Sequence, residues 1–119
     1  MFKVDGTTIT LSRGDTGAVR IEAETDYAFA SADRAVFTIK DGAGNVIRER
    51  AYEIDNTKGF KVYFYNADTD TKELGTFMWD VRWVINPYYD TAGKIVDGDQ
   101  VITPNNPMQI NLINVVGEI

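Results

Sequence analysis

Cysteine and histidine are both missing from this chain of 119 residues. Their absence excludes disulfide scaffolds, Cys or His metal centres, thiol nucleophiles and histidine-based catalytic triads. The only serines are Ser12 and Ser31, and no histidine is present to activate either. No glycine-rich phosphate loop runs into a helical pattern. Carboxylates abound, but they sit in turns without a matched acid and base. The expectation is therefore a non-enzyme that needs no cofactor. Positive charge is also scarce. Lys and Arg total 12 against 18 Asp and Glu, a net charge of −6, which argues against a nucleic-acid partner. No stretch is apolar for long enough to span a bilayer, and Met1–Asp5 lacks the apolar core of a signal peptide. The expected setting is a cytoplasm, with no membrane contact.

Leucine is scarce as well, and what replaces it is informative. Val and Ile supply 22 residues and Thr twelve, against three Leu. β-Branched side chains lose rotamer freedom in helices and pack well on a pleated surface, so the composition points to strands. Period-2 alternation points the same way. Ile9 and Leu11 share one face, as do Val19, Ile21 and Ala23. The same holds for Ala35, Phe37 and Ile39, and for Phe60, Val62 and Phe64. The longest run aligns Phe77, Trp79, Val81, Trp83 and Ile85. The segment 46–54 carries Arg48, Glu49 and Arg50 at its middle, the pattern of an edge strand guarded against pairing. A short strand is expected at 101–103 and a last one over 108–116.

Between these runs lie turn residues, at 13–17, 41–45 and 55–59, where Gly supplies positive φ and Asp or Asn caps. A single helical turn fits 68–75, but no window holds a helical period. At 13.3 kDa the chain makes one domain, residues 1–119, with roughly two-thirds of its unfolded surface available for burial. The predicted architecture is an all-β, immunoglobulin-like sandwich of about seven or eight antiparallel strands. Residues 74–79 have the layout of the corner that opens the sixth strand of such domains. Phe77 stands there in place of a hydrogen-bonding tyrosine, and Trp79 in place of the second bridging cysteine, so aromatic packing must replace the bridge.

Candidate binding residues fall into four groups, each with a plain structural alternative. Asn66, Asp68 and Asp70 alternate like the start of a calcium loop. Thr71 then takes the glycine position and Phe77 that of the bidentate glutamate, so the EF-hand pattern fails. A looser calcium site adding Asp97 and Asp99 is the functional reading, and a solvated acidic turn the structural one. Tyr88 and Tyr89 follow Asn86-Pro87 in an expected loop and suit an interface or a sugar platform. Should the strands around 63 and 80 pair, Tyr63, Tyr65 and Met78 would share an outer face with Lys61, Asp80 and Arg82. That face reads either as a docking surface or as ordinary cross-strand pairing. In the last strand apolar parity switches from Met108, Ile110 and Leu112 to Ile113 and Val115. A β-bulge or burial by a partner explains it equally. The tripeptide Arg13-Gly14-Asp15 matches an integrin-type motif, but the turn there needs Gly and Asp in any case. Trp79 and Trp83 lie on the most apolar face of the chain and read as core.

Several of these landmarks together carry a resemblance. Phe2-Lys3-Val4-Asp5-Gly6, then Arg13-Gly14-Asp15-Thr16, Phe37-Thr38-Ile39-Lys40 and Val46-Ile47 are similar to small proteins of phage and prophage tail modules. Leu74-Gly75-Thr76-Phe77-Met78-Trp79-Asp80-Val81, Val101-Ile102-Thr103-Pro104 and Met108-Gln109-Ile110 extend the likeness. The chain resembles the N-terminal immunoglobulin-like domain of upper baseplate proteins of phages of Gram-positive bacteria. The resemblance implies a structural role in a virion tail, with other tail or baseplate proteins as partners, self-association, and residence in the bacterial cytoplasm during assembly. Because the sequence ends at Ile119, it implies attachment or decoration rather than receptor binding. A carbohydrate-binding β-sandwich module is the alternative expectation.

Overall fold

The computed structural model describes residues 2–12, 14–23, 25–65, 75–102 and 112–116. They form nine strands: β1 (Phe2–Asp5), β2 (Thr8–Ser12), β3 (Gly17–Glu22), β4 (Arg34–Lys40), β5 (Val46–Glu53), β6 (Gly59–Phe64), β7 (Gly75–Tyr89), β8 (Ile95–Ile102) and β9 (Leu112–Val116). No helix occurs among the described residues, and none there is long and apolar enough to cross a membrane. The expected helical turn at 68–75 falls almost wholly outside the described residues.

Two sheets face one another. The larger runs β1-β2-β9-β7-β4-β5, with β8 also on β7; the smaller is β3-β6. Pairing is antiparallel except between β2 and β9, which run parallel. β7 is 15 residues long. β4 covers one side of it at 78–84, while β9 (at 75–78) and β8 (at 83–89) share the other. The two sheets close on a core of Ile9, Leu11, Ala35, Phe37, Val81 and Trp83 against Phe60, Val62 and Phe64. These are the faces that alternation selects. Aromatic contacts cross the gap where a disulfide is absent: Phe60 meets Trp83 edge-on at 5.4 Å, and Phe37 meets Phe64 at 6.2 Å. Trp79 instead stacks on Phe37 at 5.5 Å, and its indole N–H donates to the Thr7 carbonyl at 2.9 Å.

Four features depart from the sequence reading. Phe2–Asp5 is a strand of its own, paired with β2 around Gly6 at φ 60°. The segment expected only at 101–103 starts at Ile95. Tyr88 and Tyr89 lie in a strand rather than a loop, because β7 continues past Pro87, opposite Gly98, as far as Tyr89. Finally, β6 pairs with β3 and not with β7. The 55–59 turn carries the chain from one sheet to the other, so the pairing on which a shared face of Tyr63, Tyr65 and Met78 depended does not form.

A second, smaller core lies on the outer face of the large sheet, where Val36, Val84 and Ile95 are buried together. The hairpin from Asn86 to Gly98 curls over this face. Asn86 takes a left-handed φ of 48°, and its N–H donates at 2.9 Å to the carboxylate of Asp33, itself buried. Gly98 makes the curl sterically feasible: a Cβ there would lie 2.5 Å from Val84 and 2.8 Å from the Ile85 carbonyl.

Candidate functional site

The sequence-predicted residues are dispersed over the molecule. Tyr63 and Tyr65 project from the outer face of the small sheet, about half exposed, with rings stacked at 6.3 Å. The Arg50 guanidinium lies 6.0 Å from the Tyr65 ring centre. Met78 is partly exposed on β7, in the opposite sheet. The proposed single face is thus two surfaces on two sides of the sandwich. Ile113 and Val115 stand in β9, in backbone register with Ile9 and Leu11 of β2 on one side and with Phe77 and Gly75 of β7 on the other. Since β9 has a neighbour on each side, the closing strand offers no free edge for another copy.

Asp68 and Asp70, with Asn66, lie outside the described residues. Asp97 and Asp99 are on β8. Asp99 accepts hydrogen bonds from the Tyr88 hydroxyl and, at 2.8 Å, from the Asn86 side-chain amide. Those bonds hold its carboxyl below the usual range, Tyr88 contributing most, and they raise the Tyr88 phenol in return. Asp97 accepts from the N–H of Gly98 at 2.9 Å. Among the described residues no three acidic side chains gather in a metal-binding group. Asp15, in the integrin-like tripeptide, is turned back to accept the Ser12 N–H at 2.8 Å, which fits a turn-closing role.

A groove that alternation did not reveal lies between the curled hairpin and β4–β5. It measures about 270 Å³ and opens to solvent. Val36, Ala51 and Ile95 form its apolar base, and Tyr89 lines it from the hairpin, half exposed. Arg34, Lys94 and Glu49 supply its charge. Glu49 sits between Arg82 at 3.8 Å and Lys94 at 3.9 Å, and accepts from the Thr38 hydroxyl at 3.3 Å. Arg34 reaches Glu53 at 3.8 Å and donates to the Ser31 carbonyl at 2.7 Å. The only local hint in the sequence is that Val36 and Val84 are apolar on faces expected to be wet. Their cover comes from a hairpin whose path depends on Asn86 and Gly98.

Comparison with protein-family models, with curated proteins and with solved structures finds no match to this chain.

Proposed function

We propose that this chain is a structural subunit of a phage or prophage tail or baseplate, acting by protein–protein contacts and without catalysis. The observation that carries the reading is the surface. Large apolar side chains stand exposed on both sides of a two-sheet domain: Tyr63 and Tyr65 on one, Met78, Tyr88 and Tyr89 elsewhere, with Val96 and Val101 on β8. Such patches mark contact surfaces more than chemistry. The resemblance to upper baseplate proteins supplies the particular assembly. Its Gly-Asp-Thr turn joins β2 to β3, and its Gly-x-Phe-x-Trp-Asp-Val run opens β7. Parallel pairing of the second strand with the last, over a two-layer core, supports the immunoglobulin-like form of the sandwich. In this reading the protein folds in the bacterial cytoplasm and is then built into the tail. The test is mass spectrometry of phage particles induced and purified from the strain encoding the chain. The expected result is the protein in tails at fixed stoichiometry to other tail proteins; particles lacking it would overturn the reading.

One observation favours a second reading, a carbohydrate-binding module. Tyr88, Asp99 and Asn86 place an exposed ring, a carboxylate and an amide side by side. A glycan array with and without calcium decides it: specific binding that a Tyr88→Ala variant loses supports this reading, and a blank array removes it.

A further inference from the structure

The groove under the β7–β8 hairpin joins three properties. It is concave, its base is apolar, and its charge is unbalanced. Val36 and Ile95 at the base are already buried, so an inserted group would meet a packed wall rather than mobile chain. Tyr89 presents a ring with two rotatable bonds, a low-entropy contact. Arg34, Lys94 and Glu49 line the groove, and with the partners just outside it, Glu53 at 3.8 Å from Arg34 and Arg82 at 3.8 Å from Glu49, the group holds three cations against two anions. Glu49 is already shared between Arg82, Lys94 and Thr38. Lys94 is about two-thirds exposed and makes only a 3.9 Å contact, so its charge remains largely available. This local excess of positive charge stands out on a chain with a net charge of −6. A complementary occupant is acidic.

We propose that this groove docks a segment of a partner protein, which inserts one large apolar side chain against Val36, Ala51 and Ile95 and sets a carboxylate between Arg34 and Lys94. The inference rests on the protein-contact reading above and gives it a surface and a partner chemistry. Charge at the rim sets specificity and on-rate, while the apolar anchor supplies most of the affinity.

The test is amide chemical-shift mapping on the full chain, with three capped pentapeptides as probes: Gly-Glu-Phe-Glu-Gly and its Gln and Lys counterparts at both Glu positions. The Glu peptide is expected to shift Val36, Tyr89, Gly93, Lys94 and Ile95 saturably. The Gln peptide should bind about tenfold more weakly and the Lys peptide not at all. Lys94→Glu should reverse the order of the Glu and Lys peptides, and Ala51→Phe, at an exposed position, should fill the groove and abolish binding of the Glu and Gln peptides. Equal binding of the Glu and Lys peptides, or no groove shifts at millimolar peptide, overturns the proposal. So do the same shifts arising from protein concentration alone, which would make a second copy the occupant, or from chitooligosaccharides in place of peptide. The particle analysis does not depend on this groove, so failure here leaves the tail assignment standing, and failure there does not follow from this result.

Discussion

At the scale of single residues, one turn design is used three times among the described residues. Asp41, Asp55 and Asp90 each open a five-residue turn in which the Asp N–H donates to the carbonyl four residues on. In each, the N–H three residues on returns a bond to the Asp carbonyl. The Asp side chain accepts the N–H groups two and four residues later. The fourth residue takes positive φ, and it is glycine at Gly44 and Gly93 but lysine at Lys58, with φ 60°. A non-glycine residue there is strained by roughly 1 kcal/mol. Lys58→Gly is thus expected to be neutral or to gain up to about 1 kcal/mol in urea unfolding, less what the Lys58 bond to the Thr25 carbonyl contributes. Lys58→Val should lose stability.

Asp55 carries more than its turn. Arg20 grips its carboxylate with two guanidinium nitrogens, and Thr57 adds its hydroxyl. These bonds, Arg20 foremost, hold the Asp55 carboxyl far below the usual carboxylate range. Asp41 is lowered too, mainly by the Asn45 N–H, and Asp99 mainly by Tyr88. A carboxylate that is more acidic folded than unfolded stabilises the fold fully above its unfolded value, near pH 4, and loses that contribution as pH falls through its folded value. Stability should therefore be flat from about pH 5 to about pH 9 and decline below about pH 4. Asp55→Asn should flatten that acid decline in a urea–pH series; an unchanged decline would show that Asp55 does not drive it.

At the scale of elements, the β7–β8 hairpin is the part that alternation alone could not place. Its curl buries Ile95 on the outer face of the large sheet and forms one side of the groove. Gly98→Ala pushes a methyl into Val84 and the Ile85 carbonyl, and is expected to cost about 1–3 kcal/mol. Ile95→Ala removes the hairpin's anchor and should cost about 2–4 kcal/mol. Hydrogen exchange of 86–98 separates local lifting of the hairpin from global loss: the first speeds exchange there alone, the second throughout. Core strands were legible in the sequence because each buries one face, and burial writes period 2 into side chains. Val36 and Thr38 broke that rule, since a hairpin covers one and Glu49 engages the other.

At the scale of the molecule, the two sheets set the exposed aromatics on opposite sides. Assembly through the Tyr63–Tyr65 face and docking in the groove are therefore separable. If the small-sheet face mediates self-association, Tyr63→Glu should lower the mass seen by light scattering across a concentration range, while leaving groove peptides bound. A mass unchanged from that of the parent would remove that face as the interface between copies. Lack of a free edge at β9 directs contacts to side chains rather than to strand addition there.

What the sequence determined by itself was the all-β class, most strand positions, two of the three Asp turns and the inward faces of β2, β3, β4, β6 and β7. All are local: a turn needs a residue that tolerates its φ, and a half-buried strand must alternate. Which strands pair was decided only by the tertiary structure, because Tyr63 and Met78 fit a shared face as well as separate ones until β6 joins β3. The groove was decided there too. It arises where Asn86, held by buried Asp33, turns a distant hairpin back onto Val36 and Val84, a juxtaposition of residues about fifty positions apart that no local pattern records.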